Sequence, residues 1–309
     1  MEFSFTKMNG LGNDFVFVDD LEARWEPTPA QVSAICDRHF GVGADGVILV
    51  RPAKEDSCDA FMHYFNADGS LAEMCGNGVR CFAKYLVDHR IVDPAAGKLV
   101  AGTRAGAKPI SYQVDEQGLL TVATVDMGEP ILKPQDVPTT LPANARTEQG
   151  TEYVREAAVS SPWGDFAFTC VSMGNPHAVC FLDDIEALPE ILFTSSEKSL
   201  TTLDIARVGA WFESNPVFPA KANIEFAVCA GDHIEMRVYE RGDGETLACG
   251  TGTCATSVAA TLTGRAGREN DVQLLGGMLH IRWAENDHVF MTGAAATSFT
   301  GTMSLPDED

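Results

Sequence analysis

The sequence predicts an α+β fold built from two similar strand-rich halves, each carrying a helix opened by a cysteine turn. Three observations predict it. The stretch EMCGNGVRCFAKYL (Glu73–Leu86) returns as LACGTGTCATSVAA (Leu247–Ala260), so Cys75 and Cys249 each begin a CGxG turn followed by a helix-like run. Phe65 stands ten residues before Cys75 and Tyr239 ten before Cys249, with FNADGS and YERGDGE as the matching polar loops. KMNGLGNDFVFVDD is echoed by SMGNPHAVCFLDD, in which Met, Gly and Asn again lead into an apolar strand ended by two aspartates. Correspondences in one order at nearly constant offset indicate duplicated halves with pseudo-twofold symmetry. The 309 residues suffice for two domains of roughly 150 residues, each with its own core.

Along the chain, FSFTKMNGLGNDFVFVDD reads as a strand, a glycine-punctuated loop at Asn9–Asp14 and a second strand over Phe15–Val18. Thr28 is the predicted N-cap of a helix with Pro29 at its first position, ending near His39 before Gly41. GVGADG then leads into the strand VILV. A helix is expected over Gly78–Val87, and Lys98–Val125 reads as short alternating strands with glycine turns. MGEPILKPQDVPTTLPANA, rich in proline and polar residues, suits a crossover and places a domain boundary near Thr121. The resulting division is 1–121 with 295–309 against 122–294.

Composition excludes several function classes. No apolar run approaches the roughly 18 to 20 residues needed to span a bilayer, and MEFSFTKMNG lacks the basic and apolar regions of a signal peptide. The expected location is cytoplasmic, with no membrane partner. A formal charge of −22, from 44 acidic and 22 basic residues, repels nucleic acid. It reads as a solvated acidic surface. Nine scattered cysteines argue for free thiols over a disulfide framework. Cys75 with Cys81 and Cys249 with Cys254 lack the C-x2-C spacing of zinc sites, no HExxH occurs, and the seven histidines are dispersed, so no metal is expected.

The two cysteine turns point to proton transfer. Their glycines permit tight backbone turns, and the first-turn amides of the following helices can gather around one anion. A free thiol with pKa near 8.5 is only about 3% ionised at pH 7, and a helix N-terminus can lower that pKa to roughly 3.5 to 7.5. If symmetry sets the turns on opposite sides of a substrate carbon, one thiolate can remove a proton while the other thiol delivers one, inverting the stereocentre. Most cysteines are simply small buried hydrophobes; Cys81, Cys254, Cys36, Cys58, Cys170, Cys180 and Cys229 are assigned that role. A redox dithiol of Cys75 and Cys249 stays open as an alternative, its disulfide read as an inactivated form.

With these residues in view, the sequence resembles the diaminopimelate epimerase family. The matching segments are KMNGLGNDF (Lys7–Phe15), GVGADG (Gly41–Gly46), FNADGS, MCGNGVRC, VSMGNPH (Val171–His177), RVYERGDGETLACGTG and MTGAA, in family order through nearly the whole chain. The pairing of MCGNGxRC with YERGxGET-ACGTG is highly specific. Asn9 stands where many relatives have His, and Gly46 where some have Gln. Leu188–Pro219 is longer than in compact members and receives no functional account.

The resemblance implies a pyridoxal-phosphate-independent isomerase that interconverts LL- and meso-2,6-diaminopimelate in lysine and peptidoglycan precursor biosynthesis, with no cofactor. It implies two domains, each a strand-rich, barrel-like wrap around a central helix, with the active site in the interdomain cleft, and a homodimer. Cys75 and Cys249 match the catalytic bases. Gly76, Asn77, Gly250 and Thr251 match the clamp on the reacting carboxylate; Asn13, Asn66, Asn175, Asn223 and Arg241 match groups that hold mostly the distal amino-acid end. Glu240 resembles a residue that contacts the distal ammonium or assists a thiol, and His177 one that helps deprotonate a cysteine. An Arg fork suits a carboxylate, and a site demanding several hydrogen bonds rejects substrates that lack them. The alternatives are a related cofactor-independent racemase of histidine, proline or hydroxyproline, and a dithiol redox or binding protein. Proline-type enzymes tend to show His where Asn77 stands.

Overall fold

Each cysteine turn opens a helix that is almost wholly buried, and the neighbouring strands supply what buries it. A computed structural model describes residues 2–305. The chain divides into two compact units, one running through Asp126 and resuming at Thr292, the other Met127–Met291. Thr121 lies inside the last strand before that division. The fold is α+β, as the sequence predicts, with four α-helices among the described residues. None of them is long and apolar enough to cross a membrane.

In the first unit β1 (Glu2–Gly10) and β2 (Asn13–Asp19) form an antiparallel hairpin. α1 (Pro29–Cys36) then crosses to β3 (Gly46–Arg51), which lies parallel to β2 and antiparallel to β4 (Ala60–Asn66). α2 (Gly76–Asp88) crosses to β5 (Lys98–Thr103), parallel to β4, and an antiparallel meander through β6 (Gly106–Val114) and β7 (Leu120–Asp126) follows. α2 packs against β1, β2, β5 and β7, burying Val79, Phe82, Leu86 and Val87.

The second unit opens with the short pair β8 (Ala145–Arg146) and β9 (Glu152–Tyr153), then β10 (Ala157–Ser161). Thereafter it repeats the pairing order of the first. β11 (Gly164–Ser172) and β12 (Pro176–Phe181) are antiparallel, and α3 (Ile205–Glu213) crosses to β13 (Asn223–Ala230), parallel to β12. β13 pairs antiparallel with β14 (His233–Glu240), which turns into β15 (Gly244–Glu245). α4 (Gly250–Thr263) then crosses to β16 (Glu269–Leu274), parallel to β14, with β17 (Gly277–Trp283) antiparallel to it. The chain passes along β18 (Val289–Ala294) to β19 (Ala296–Ser304), which pairs with β1. Parallel pairs require crossover helices, so the shared order of hairpin, crossover, hairpin, crossover is the duplication seen in sequence.

Two helix boundaries differ from expectation. α1 has the predicted Thr28 cap, with a full capping box to Gln31, but stops at Cys36. The Asp37 carboxylate accepts the N–H groups of His39 and Phe40, turning the chain out of the helix three residues early. α2 begins at Gly76 rather than Gly78, because Cys75 itself is the extended N-cap residue. Leu188–Pro219 proves to be the crossover carrying α3: Leu192, Leu203, Val208, Phe212 and Phe218 all enter the core of the second unit. Gly209 in α3 is dictated by packing, since a Cβ there would lie 2.4 Å from Tyr239 Cβ.

Burial also sets an acid limit on the first unit. His63 in β4 is buried, its Nδ1 has no hydrogen-bond partner among the described residues, and burial with the nearby Arg51 guanidinium pushes its pKa down to about 4. The folded state thus disfavours the protonated ring: stability is complete above the ordinary value of 6.5 and declines as pH falls towards 4. We predict that His63→Phe removes up to about 3 kcal/mol of this acid-side loss. Denaturant unfolding of both proteins between these pH values checks it, and parallel stability curves would contradict it.

Candidate active site

Cys75 caps α2 from an extended backbone and is half-buried. Its thiol donates to Asn13 Oδ1 at 3.4 Å, and the Asn77 amide donates to the same oxygen at 3.3 Å. Both amides are oriented by charged groups. The buried Arg80 guanidinium donates to Asn77 Oδ1 at 2.9 Å, while Asn13 Nδ2 donates to Asp45 Oδ2 at 2.7 Å. Behind Asp45, Arg38 bridges it to Asp14, and Lys7 pairs with Asp14 at 2.6 Å. Gly10 allows this closeness: a Cβ would meet Asn77 O at 3.0 Å and Arg80 Nη2 at 3.3 Å.

Cys249 caps α4 and is buried, its sulfur accepting the Gly252 N–H at 3.4 Å and lying 3.5 Å from the Thr251 hydroxyl. Two carboxyl groups stand close. A Cβ on Gly252 would sit 2.7 Å from Glu225 Oε1 and 3.3 Å from Cys249 Sγ, so no side chain fits between acid and thiol. Glu240 accepts the Thr246 hydroxyl, and its charge acts on the Cys249 thiol. Burial and the charges of Glu240 and Glu225 push the Cys249 thiol well above its ordinary value, outweighing the Thr251 and Gly252 donors. This reverses, for Cys249, the lowered pKa expected from the helix terminus. Burial likewise raises the Glu240 and Glu225 carboxyls.

Behind Cys249, the wholly buried His177 places Nδ1 2.6 Å from Glu225 Oε1 and Nε2 3.0 Å from Asn175 Oδ1. Glu225 Oε2 finds no partner among the described residues. Asn223 is buried, donating to the Pro176 carbonyl and accepting the Arg241 backbone N–H at 2.8 Å. Its side chain braces the Arg241 turn. Arg241 itself is exposed, one guanidinium N–H held by the Ala220 carbonyl.

Within the first unit, then, Asn13, Asn77 and Cys75 form one hydrogen-bonded group, and Asn66 lies apart from it, tied to Ser70 through both its side chain and its backbone. In the second, Thr251, the Gly252 N–H and the charges of Glu240 and Glu225 act on the Cys249 thiol, and His177 joins Glu225 to Asn175. Gly46 has a steric cause: a Cβ there would lie 2.4 Å from the Phe65 carbonyl oxygen. Asn9 donates to Ser298 instead of facing the thiol group. Of the cysteines assigned to packing, Cys36, Cys81, Cys170, Cys180 and Cys254 are buried, and burial pushes the first four up to about 12. Cys229 is exposed and Cys58 half-buried, which corrects that assignment for both.

Sequence reasoning missed Arg80, Asp45 and Glu225. The available signal was a lone charge in an apolar setting: Arg80 inside the α2 run and Glu225 between Ile224 and Phe226 in β13. Such charges are rarely buried without a partner or a task.

Each unit joins a thiol to a helix start whose first backbone N–H groups have no intrahelical acceptor. That pairing suits holding a carboxylate while a proton moves at the adjacent carbon. Comparison with known proteins agrees. The sequence model of the diaminopimelate epimerase family matches residues 5–133 and 169–298. A protein of Synechococcus elongatus named diaminopimelate epimerase is 46% identical over 308 residues, covering 99% of both chains. One of that name from Desulfovibrio desulfuricans is 44% identical over 299 residues, covering 96% of each. Among solved structures, a hydroxyproline epimerase from Agrobacterium vitis has a TM-score of 0.68 at 14% identity, covering 98% of this chain and 91% of that one. A phenazine biosynthesis protein of Bacillus anthracis scores 0.64 at 16% identity, covering 99% and 100%; both show a shared fold. The chain belongs to the diaminopimelate epimerase family.

Proposed function

We propose that the chain interconverts LL-2,6-diaminopimelate and meso-2,6-diaminopimelate by a cofactor-independent two-base reaction, supplying lysine and peptidoglycan precursors. The observation that carries this reading is the pair of cysteine N-caps, one per unit, each on a CGxG turn. One sulfur accepts the α-proton, and the electron pair left on carbon takes a proton from the other thiol on the opposite face. The stereocentre inverts and the two sulfurs exchange protonation states. Amides at Gly76 and Asn77 and at Gly250 and Thr251 hold the reacting carboxylate and favour the negative charge that grows towards it in the transition state.

Glu240, whose charge already acts on the Cys249 thiol, serves as its proton acceptor. His177 acts from behind, through Glu225 and Asn175. Asn13, Asn66, Asn175, Asn223 and Arg241 are assigned to substrate recognition, Asn223 by bracing Arg241. The reading further assigns one epimerase domain to each unit, a cytoplasmic location and a homodimer.

Incubating the reduced protein with LL-diaminopimelate in deuterated water tests the function. The expected result is meso product carrying α-deuterium, resolved by chiral chromatography. Unchanged diaminopimelate, with turnover of proline, hydroxyproline or histidine instead, would overturn the substrate assignment.

Two substitutions test the roles. Cys75→Ala and Cys249→Ala should each lower epimerisation by about 10²- to 10⁴-fold with thermal unfolding little changed; near-native turnover by either would remove that thiol from the mechanism. Arg241→Ala should lower kcat/KM by about 10²-fold or more through loss of a carboxylate fork. Native kinetics with a shifted unfolding curve would make Arg241 structural.

A further inference from the structure

We propose that Asp45, acting through Asn13, keeps Cys75 protonated while no substrate is bound, which makes Asp45 a positioning residue for the proton-delivering thiol. The consequence for catalysis rests on the epimerase reading of Cys75; the test below does not. An asparagine amide presents an acceptor on one side and donors on the other, and its orientation follows from its neighbours. Here the neighbours leave no choice. A carboxylate can only accept, so Asp45 draws Asn13 Nδ2 to itself at 2.7 Å. A guanidinium can only donate, so Arg80 draws Asn77 Oδ1 at 2.9 Å and turns Asn77 Nδ2 towards Asn13. The two amides thus form a directed chain from Arg80 to Asp45.

The chain leaves Asn13 Oδ1 as the group facing Cys75 Sγ, at 3.4 Å. An amide oxygen stabilises a thiol, which can donate to it, and repels a thiolate, which cannot. The charged groups around this point are Lys7 and Arg38 against Asp14 and Asp45, paired in one cluster behind Asn13, with the Arg80 guanidinium beneath Asn77 in α2 in excess. Against that excess charge and the α2 N-terminus, both of which favour a thiolate, the Asn13 oxygen is the group that favours the thiol. In turnover Cys75 then starts as the acid: its S–H bond breaks, the proton joins the α-carbon, and the sulfur keeps the electron pair as thiolate.

Iodoacetamide alkylation of Cys75, followed by mass spectrometry across a pH series, reads this without substrate. With Asp45→Asn the amide at position 13 can reverse and offer its N–H groups to sulfur. The expected result is a fall in the alkylation midpoint of about half a pH unit or more, a threefold or greater rise in rate near neutrality. Asn13→Ala alone should also lower the midpoint. In the Asn13→Ala background, Asp45→Asn should add nothing further, since the pathway through the amide is already gone. An unmoved midpoint in both single variants would overturn the proposal, as would an equal additional shift in the double variant, which would make Asp45 a bare charge. The substrate assay in deuterated water fails or succeeds independently of this titration.

Discussion

Burying the N-terminus of a helix is the constraint on which the rest of this structure depends. The first turn of any helix leaves backbone N–H groups without intrahelical acceptors, and in an interior those donors are costly unless something accepts from them. The strands of each unit bury α2 and α4 from their first residues: Gly76, Asn77 and Gly78 are buried, as are Gly250 and Gly252. A charged cap would satisfy the donors and close the site. Both helices instead carry cysteine at the cap, a weak acceptor that leaves the amides available to a stronger anion. The fold thereby sets first-turn amides beside a thiol, twice.

The two copies have diverged in what surrounds the sulfur. Around Cys75 the polar groups are amides whose directions are set by Arg80 and Asp45, and the thiol is half-buried. Around Cys249 they are carboxyl groups, close enough that Gly252 can have no side chain, and the thiol is buried. Burial favours the protonated forms of the Cys249 thiol and of both neighbouring acids. The duplication supplied the geometry, and single residues such as Asp45 and Glu225 then made the two thiols unequal.

The duplication was legible in the sequence because it rests on signals that survive at the level of spacing: two CGxG turns, two loops bearing Met, Gly and Asn, and ten-residue offsets to Phe65 and Tyr239. The repeated pairing order of β1–β7 and β11–β17 is the same signal in three dimensions. Local boundaries were less legible. The end of α1 depends on Asp37 accepting two backbone N–H groups, a competition between side chain and helix that residue type alone does not decide. The candidate residues legible in the sequence are those inside the motifs, Cys75, Cys249, Asn77 and Thr251. It was hidden where the partner is distant in sequence: Asp45 reaches Cys75 only through Asn13, and Glu225 reaches Cys249 only because position 252 is glycine. The direction of the Cys249 pKa was hidden for the same reason, since the helix terminus is visible in sequence and the burial and the charges of Glu240 and Glu225 are not.

The central claim is that proton removal and proton delivery use different sulfurs. The most direct test is the isotope content of the first product formed when protiated LL-diaminopimelate reacts in deuterated water. Two bases predict that nearly every early meso molecule carries deuterium at the inverted carbon while unreacted LL substrate remains protiated. Early meso product that retains the original hydrogen would show a single base returning its own proton, and would contradict the account.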